Sequence, residues 1–109
     1  MKTVSIILPY FRKKKFINKT LKSILNQTYN IYEILIVYDD ENKNELKNLT
    51  KITNNNKKIK ILVNKKNIGA GESRNRAIKV AKGEYIAFLD ADDIWKKDKL
   101  KKQIFFMKK

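Results

Sequence analysis

The sequence contains neither cysteine nor histidine. Without cysteine there is no disulfide framework and no thiolate metal site, a usage that suits a reducing cytoplasm, the compartment expected for this chain. Without histidine the commonest general base and the commonest zinc ligand are both missing. Acid–base or metal chemistry therefore falls to carboxylates, hydroxyls or amines, and carboxylate ligands favour magnesium or manganese over zinc or copper. Proline occurs once and glycine three times, while 42% of residues are apolar, which argues for a folded chain. No segment has the length of a transmembrane helix, and the apolar run near the start is too short for a signal-peptide core and is broken by Pro9.

Arginine is also scarce. The formal net charge is +15, yet of 26 basic residues only Arg12, Arg74 and Arg76 are arginine. A strongly basic chain attracts polyanions, but recognition of phosphate and base edges draws on the planar fork of arginine. The lysines fall in every expected helix and loop, so a solvated lysine-rich surface is favoured over a specific nucleic-acid patch. The rival reading is a non-enzymatic basic polyanion-binding module, resting on the charge and on exposed Tyr29, Tyr32 and Trp95.

At 109 residues the chain is sized for one domain, residues 1–109. Four runs rich in Ile and Val, at residues 3–8, 33–38, 59–63 and 84–89, read as strands, and their near-continuous apolar character suits a parallel sheet covered on both faces. Helical spacing lies between them: Phe16, Ile17, Leu21, Ile24 and Leu25; then Leu46, Leu49 and Ile52; then Ala77, Ile78 and Ala81. A last stripe, Leu100, Ile104 and Phe105, runs towards the final residue. The alternation predicts a doubly wound, mainly parallel α/β sheet with helices on both faces and right-handed crossovers.

In such sheets ligands bind beyond the carboxyl ends of the strands. Six of the 11 acidic residues stand at two of those ends, as Asp39-Asp40-Glu41 and Asp90-Ala91-Asp92-Asp93, in an otherwise basic chain. Crowded carboxylates raise one another's pKa, so such a group implies a positive partner, and a hard divalent cation completed by water and phosphate oxygens fits Asp-x-Asp. The alternative is that Asp92 or Asp93 caps a helix beginning near Ile94 or Trp95. Gly69-Ala70-Gly71 opens the third helix after a glycine-bearing turn, a shape that brings backbone N–H groups to an anion. No Walker loop and no Gly-x-Gly-x-x-Gly spacing is present, so neither kinase nor dehydrogenase is supported.

Five blocks in order, TVSIILPY at residues 3–10, SILNQTY at 23–29, YEILIVYDD at 32–40, NIGAGESRNRA at 67–77 and GEYIAFLDADDIW at 83–95, resemble those of family 2 glycosyltransferases of the GT-A fold. The match spans the chain but only the amino-terminal, nucleotide-sugar-binding half of a typical catalytic domain. The resemblance implies that Pro9 and Tyr10 line the nucleotide base and that Asp39 accepts from uracil N3–H. It implies that Arg74 lies near the nucleotide, that Asp90 lies near the ribose or a metal-bound water, and that Asp92 is the direct ligand of Mg2+ or Mn2+. The activity implied is inverting transfer of a hexose-type sugar from a nucleoside-diphosphate donor, UDP-linked by expectation, to a glycan or lipid-linked acceptor at the inner membrane face. The family usually has aspartate where Tyr38 stands and small residues where Glu72 and Ser73 stand, and its catalytic base would lie beyond Lys109. The fourth strand is interior in the family, so residues 84–89 and the apolar Ile104, Phe105, Phe106 and Met107 imply homodimerisation, strengthened by salt.

Overall fold

A computed structural model describes residues 3–100. Strand β1 (Val4–Tyr10) is followed by α1 (Ile17–Leu25), β2 (Ile31–Tyr38), α2 (Leu46–Thr53), β3 (Ile59–Val63), α3 (Ala70–Val80) and β4 (Tyr85–Phe88). The sheet order is β3-β2-β1-β4 and every pairing is parallel. Travel from β1 to β3 runs one way across the sheet and the step to β4 runs back across it. A constant crossover hand therefore puts α1 and α2 on one face and α3 on the other. The packing agrees: Ile17, Leu21, Ile24 and Leu49 join Ile6, Leu8, Ile34 and Ile36 in one core, and Ala77 and Ala81 join Ile7, Leu35 and Val37 in the second. This is the doubly wound parallel arrangement the alternation predicts.

Three details depart from expectation. First, β1 continues through Pro9 to Tyr10 instead of ending at Leu8. The carbonyl of Ile7 accepts from Leu89 N–H, so Pro9, two residues on, faces the same neighbour beyond the last residue of β4, and its missing N–H forfeits no ladder bond. Second, no helix begins at Ile94 or Trp95; residues 93–96 are irregular, which removes the capping role considered for Asp92 and Asp93. Third, Trp95 is buried and Tyr29 packs against the core, leaving only Tyr32 of the three aromatics that a polyanion-binding face would present. Residues 104–107, which carry the expected apolar terminus, lie outside the described residues. Among the described residues β4 is an edge of the sheet.

The segment after β4 is irregular yet fixed, because α1 and the residues after it supply its hydrogen bonds. Thr20 Oγ donates to the Ala91 carbonyl at 2.9 Å and Trp95 N–H donates to Ser23 Oγ at 3.1 Å. Gln27 donates through Nε2 to the Lys96 carbonyl at 2.6 Å and accepts through Oε1 from Leu100 N–H at 3.0 Å. Buried backbone polar groups need partners, and here side chains of α1 and of Gln27 just after it replace the ladder that an irregular segment lacks. At the opposite end of the sheet, Gly83 lies against β1: a Cβ there would stand 2.6 Å from Ser5 N, so only glycine fits without displacement.

Candidate functional site

Neighbouring crossovers part between β1 and β4, and at the carboxyl ends of those strands a cleft of about 460 Å³ opens. Its walls come from four separate stretches: Pro9 and Tyr10 at the end of β1 with Phe11 and Lys13 just after it; Asp39 after β2; Asn67, Gly69 and Ala70 before and at the start of α3; and Asp90, Ala91 and Asp92 after β4. Five of the six residues singled out from sequence therefore share one cavity. The sixth, Arg74, reaches it from α3 through an ion pair with Asp90, Nη2 to Oδ1 at 3.3 Å. Lys13 and Asn67 also line the cleft; Lys13 does not stand out in the sequence among so many lysines, and Asn67 is visible there only as the first residue of the block at 67–77.

Asp39 is only 3% exposed, and its carboxylate is fully engaged. Oδ1 accepts from Ile68 N–H at 2.7 Å and Asn64 Nδ2 at 3.0 Å; Oδ2 accepts from Gly69 N–H at 2.9 Å and Asn67 Nδ2 at 3.2 Å. Four donors match the four acceptor positions of a carboxylate. The helix-start N–H groups expected to meet an anion thus meet the chain's own Asp39. Gly69 makes this possible with φ of +92°, a left-handed conformation that glycine adopts without strain. Behind the loop, Asn64 also donates to Ser73 Oγ at 3.1 Å and accepts from Arg76 Nη1 at 2.5 Å, so Arg76 braces the loop from behind while Arg74 faces the cleft.

The acidic residues do not form one group. Among the described residues no three acidic side chains come close enough to hold one metal, and Glu41 and Asp93 are exposed outside the cleft. The expectation of a single crowded cluster is corrected: each buried or cleft aspartate has its own partner from the chain. Arg12 Nε meets Asp40 Oδ2 at 3.0 Å, and this bond holds the Asp40 carboxyl below its ordinary range. Arg74 meets Asp90, and Lys13 Nζ meets Asp92 Oδ2 at 3.3 Å. The side chains of Asp90 and Asp92 are 62% and 40% exposed, so both present oxygens to solvent in the cleft. Two half-exposed hard carboxylates with no nitrogen or sulfur donor suit a cation such as Mg2+ or Mn2+, which keeps water and phosphate oxygens in its shell.

Tyr10 contributes to the cleft wall, but its ring is buried. It stacks on Tyr38 with centroids 5.6 Å apart, and its hydroxyl donates to Glu45 Oε1 at 2.5 Å. Burial, followed by the adjacent Glu45 carboxylate, pushes the phenol far above its ordinary value, so Tyr10 is a neutral hydrogen-bonding strut. Tyr38, at the position where aspartate is usual in the resembled family, is the other half of this stack. Its hydroxyl donates to the Asn42 carbonyl at 2.7 Å.

Comparison with known proteins identifies the family and the fold. Residues 5–109 match the family model described as glycosyl transferase family 2. The chain is 41% identical over 106 residues to an Escherichia coli UDP-Glc:alpha-D-GlcNAc-diphosphoundecaprenol beta-1,3-glucosyltransferase, WfgD, covering 97% of this chain and 41% of that protein. The crystal structure of S. aureus TarS in complex with UDP superposes with a TM-score of 0.80 at 31% identity, over 97% of this chain and 32% of that one. TarS in complex with UDP-GlcNAc matches equally well, with a TM-score of 0.80. The Pyrobaculum calidifontis mannosyltransferase PcManGT shares the fold, with a TM-score of 0.73 at 21% identity over 84% of this chain and 28% of that one. The chain thus spans about two fifths of the length of the curated relative and a third of TarS.

Proposed function

Because the chain belongs to glycosyl transferase family 2, with the GT-A fold, we propose that its cleft binds the nucleotide of a UDP-sugar through a divalent metal held by Asp90 and Asp92. The sugar would pass, with inversion, to a glycan or lipid-linked acceptor at the cytoplasmic membrane face. The observation that carries this reading is that Asp39, Asp90 and Asp92, from the ends of β2 and β4, line the same cleft. The naming of UDP and UDP-GlcNAc in the TarS complexes supports uridine over other bases.

The division of labour is the one the family resemblance implies, and the geometry of the cleft is compatible with it. Asp92, fixed by the Thr20 bond to its neighbour Ala91, would be the direct metal ligand, with Asp90 beside the ribose or a metal-bound water. When bound, the metal would act as a Lewis acid on the departing diphosphate. Arg74 stands next to Asp90 and supplies positive charge on the α3 side. Pro9 and Tyr10 form the wall for the base. For Asp39 to accept from uracil N3–H, one of its four present donors must withdraw, and the Asn67 amide is the candidate: its bond is the longest, at 3.2 Å, and it keeps the Asp39 carbonyl as a partner at 2.9 Å. No catalytic base is assigned among the described residues. Thermal unfolding with UDP, CDP and manganese tests the reading: UDP with Mn2+ should raise the melting temperature more than CDP with Mn2+ or UDP with chelator. Equal shifts in all three would refute it.

A further inference from the structure

We propose that Lys13 is an exchangeable counter-ion of the cleft: its ammonium holds Asp92 while the site is free and passes to the diphosphate when a divalent cation takes Asp92. Metal and nucleotide then bind together rather than independently. The inference rests on the reading of the cleft as a metal-assisted UDP-sugar site, and goes beyond it by assigning a residue and an order of events.

The placement of Lys13 is built into the fold. Arg12 adopts φ of 54°, the left-handed conformation that side-chain-bearing residues rarely adopt, and is held there by its bond to Asp40. Lys13 follows this reversal, and its carbonyl accepts from both Phe16 and Ile17 N–H at 3.0 Å, which ties its backbone to the start of α1. The backbone is therefore set while the long side chain reaches across the cleft to Asp92, 3.3 Å away. Both side chains are near 40% exposed, so the pair is solvated, weak and easily exchanged.

Charge supplies the coupling. At the Asp90-Ala91-Asp92 motif Lys13 and Arg74 offset Asp92 and Asp90 one for one, while Asp39, the third aspartate lining the cleft, is held by its own four donors and does not join them in a metal-sized group among the described residues. A divalent cation arriving alone meets a site that is already neutralised and must displace an ammonium. A nucleoside diphosphate arriving with it adds negative oxygens, which complete the cation's shell and accept the displaced ammonium. Lys13 lines the cleft beside Asp92, so the transfer needs only a change of side-chain rotamer.

Mn2+ titration of the full chain, alone and with UDP, tests this with Lys13→Met and Lys13→Arg. Removing the ammonium should tighten binding of Mn2+ alone by roughly tenfold, from like-charge repulsion at a few ångströms near water. It should weaken UDP in saturating Mn2+ by about as much, so that UDP enhances Mn2+ binding less. K13R should keep the parental pattern, and both variants should melt with the parent, since the lost pair is solvent-exposed. Parental Mn2+ affinity and parental UDP enhancement in K13M would overturn the role of Lys13 alone. A parent chain whose UDP binding ignores Mn2+ would overturn the metal reading and this inference together.

Discussion

The Thr20 hydroxyl on α1 donates a 2.9 Å hydrogen bond to the carbonyl of Ala91, the residue between the two cleft aspartates. Helix α1 thereby sets the position of a motif that lies 70 residues further along the chain. Thr20→Val keeps the shape but leaves a buried carbonyl unpaired, which costs on the order of 1–3 kcal/mol. Denaturant unfolding should show that loss, and UDP affinity in Mn2+ should fall with it because Asp90 and Asp92 are no longer held.

Asp39 joins stability to base choice. Asp39→Ala strips the acceptor from two backbone N–H groups and two amides, and should destabilise by about 3 kcal/mol or more. The milder Asp39→Asn retains one acceptor oxygen and should fold, yet lose the preference for uridine over cytidine diphosphate. Competition titrations of the two nucleotides on D39N measure this; an unchanged preference would leave Asp39 as a loop anchor only.

The opposite end of the sheet should behave independently. Gly83→Ala forces a Cβ against Ser5 and should cost about 1–3 kcal/mol while leaving UDP affinity unchanged.

Glu33, also at that end, gives a pH signature. Burial pushes its carboxyl up, but hydrogen bonds from Lys82 N–H at 2.6 Å, Ser5 Oγ at 2.7 Å and Lys60 Nζ at 3.3 Å together hold it below the ordinary 4.5. A carboxyl lowered on folding contributes stability that is full above the unfolded value and is lost as pH falls through the folded one. Melting temperatures of the parent and Glu33→Gln should therefore differ most above about pH 5 and converge on acidification below pH 4.5. A gap constant with pH would show that Glu33 acts through shape alone.

Much of this molecule is legible in its sequence, for physical reasons that also mark where legibility stops. The run at residues 59–63 matches β3 residue for residue, because β-branched and apolar side chains bounded by polar residues leave little choice. Pro9 looked like a terminator because a strand proline is harmful only where a neighbour waits for its N–H, and no sequence shows that β4 has already ended there. Trp95 reads as exposed amid Asp and Lys, yet Ser23 of the distant α1 and Gln27 just beyond that helix bind the segment that carries it, and Trp95 is buried. The carboxylates at strand ends were visible. Their partners were not: Arg12, Lys13 and Arg74 are assigned to Asp40, Asp92 and Asp90 only by the way the loops converge.

Calorimetric titration of UDP into the parent and into Asp92→Asn, each with Mn2+ and with chelator, bears most directly on the function of the cleft. The parent should bind UDP strongly only with Mn2+. D92N should bind weakly and show little response to the metal, with an unchanged melting temperature because Asp92 is a half-exposed cleft residue. Equal UDP affinity in the parent and D92N, or indifference of the parent to chelator, would contradict a metal-held diphosphate.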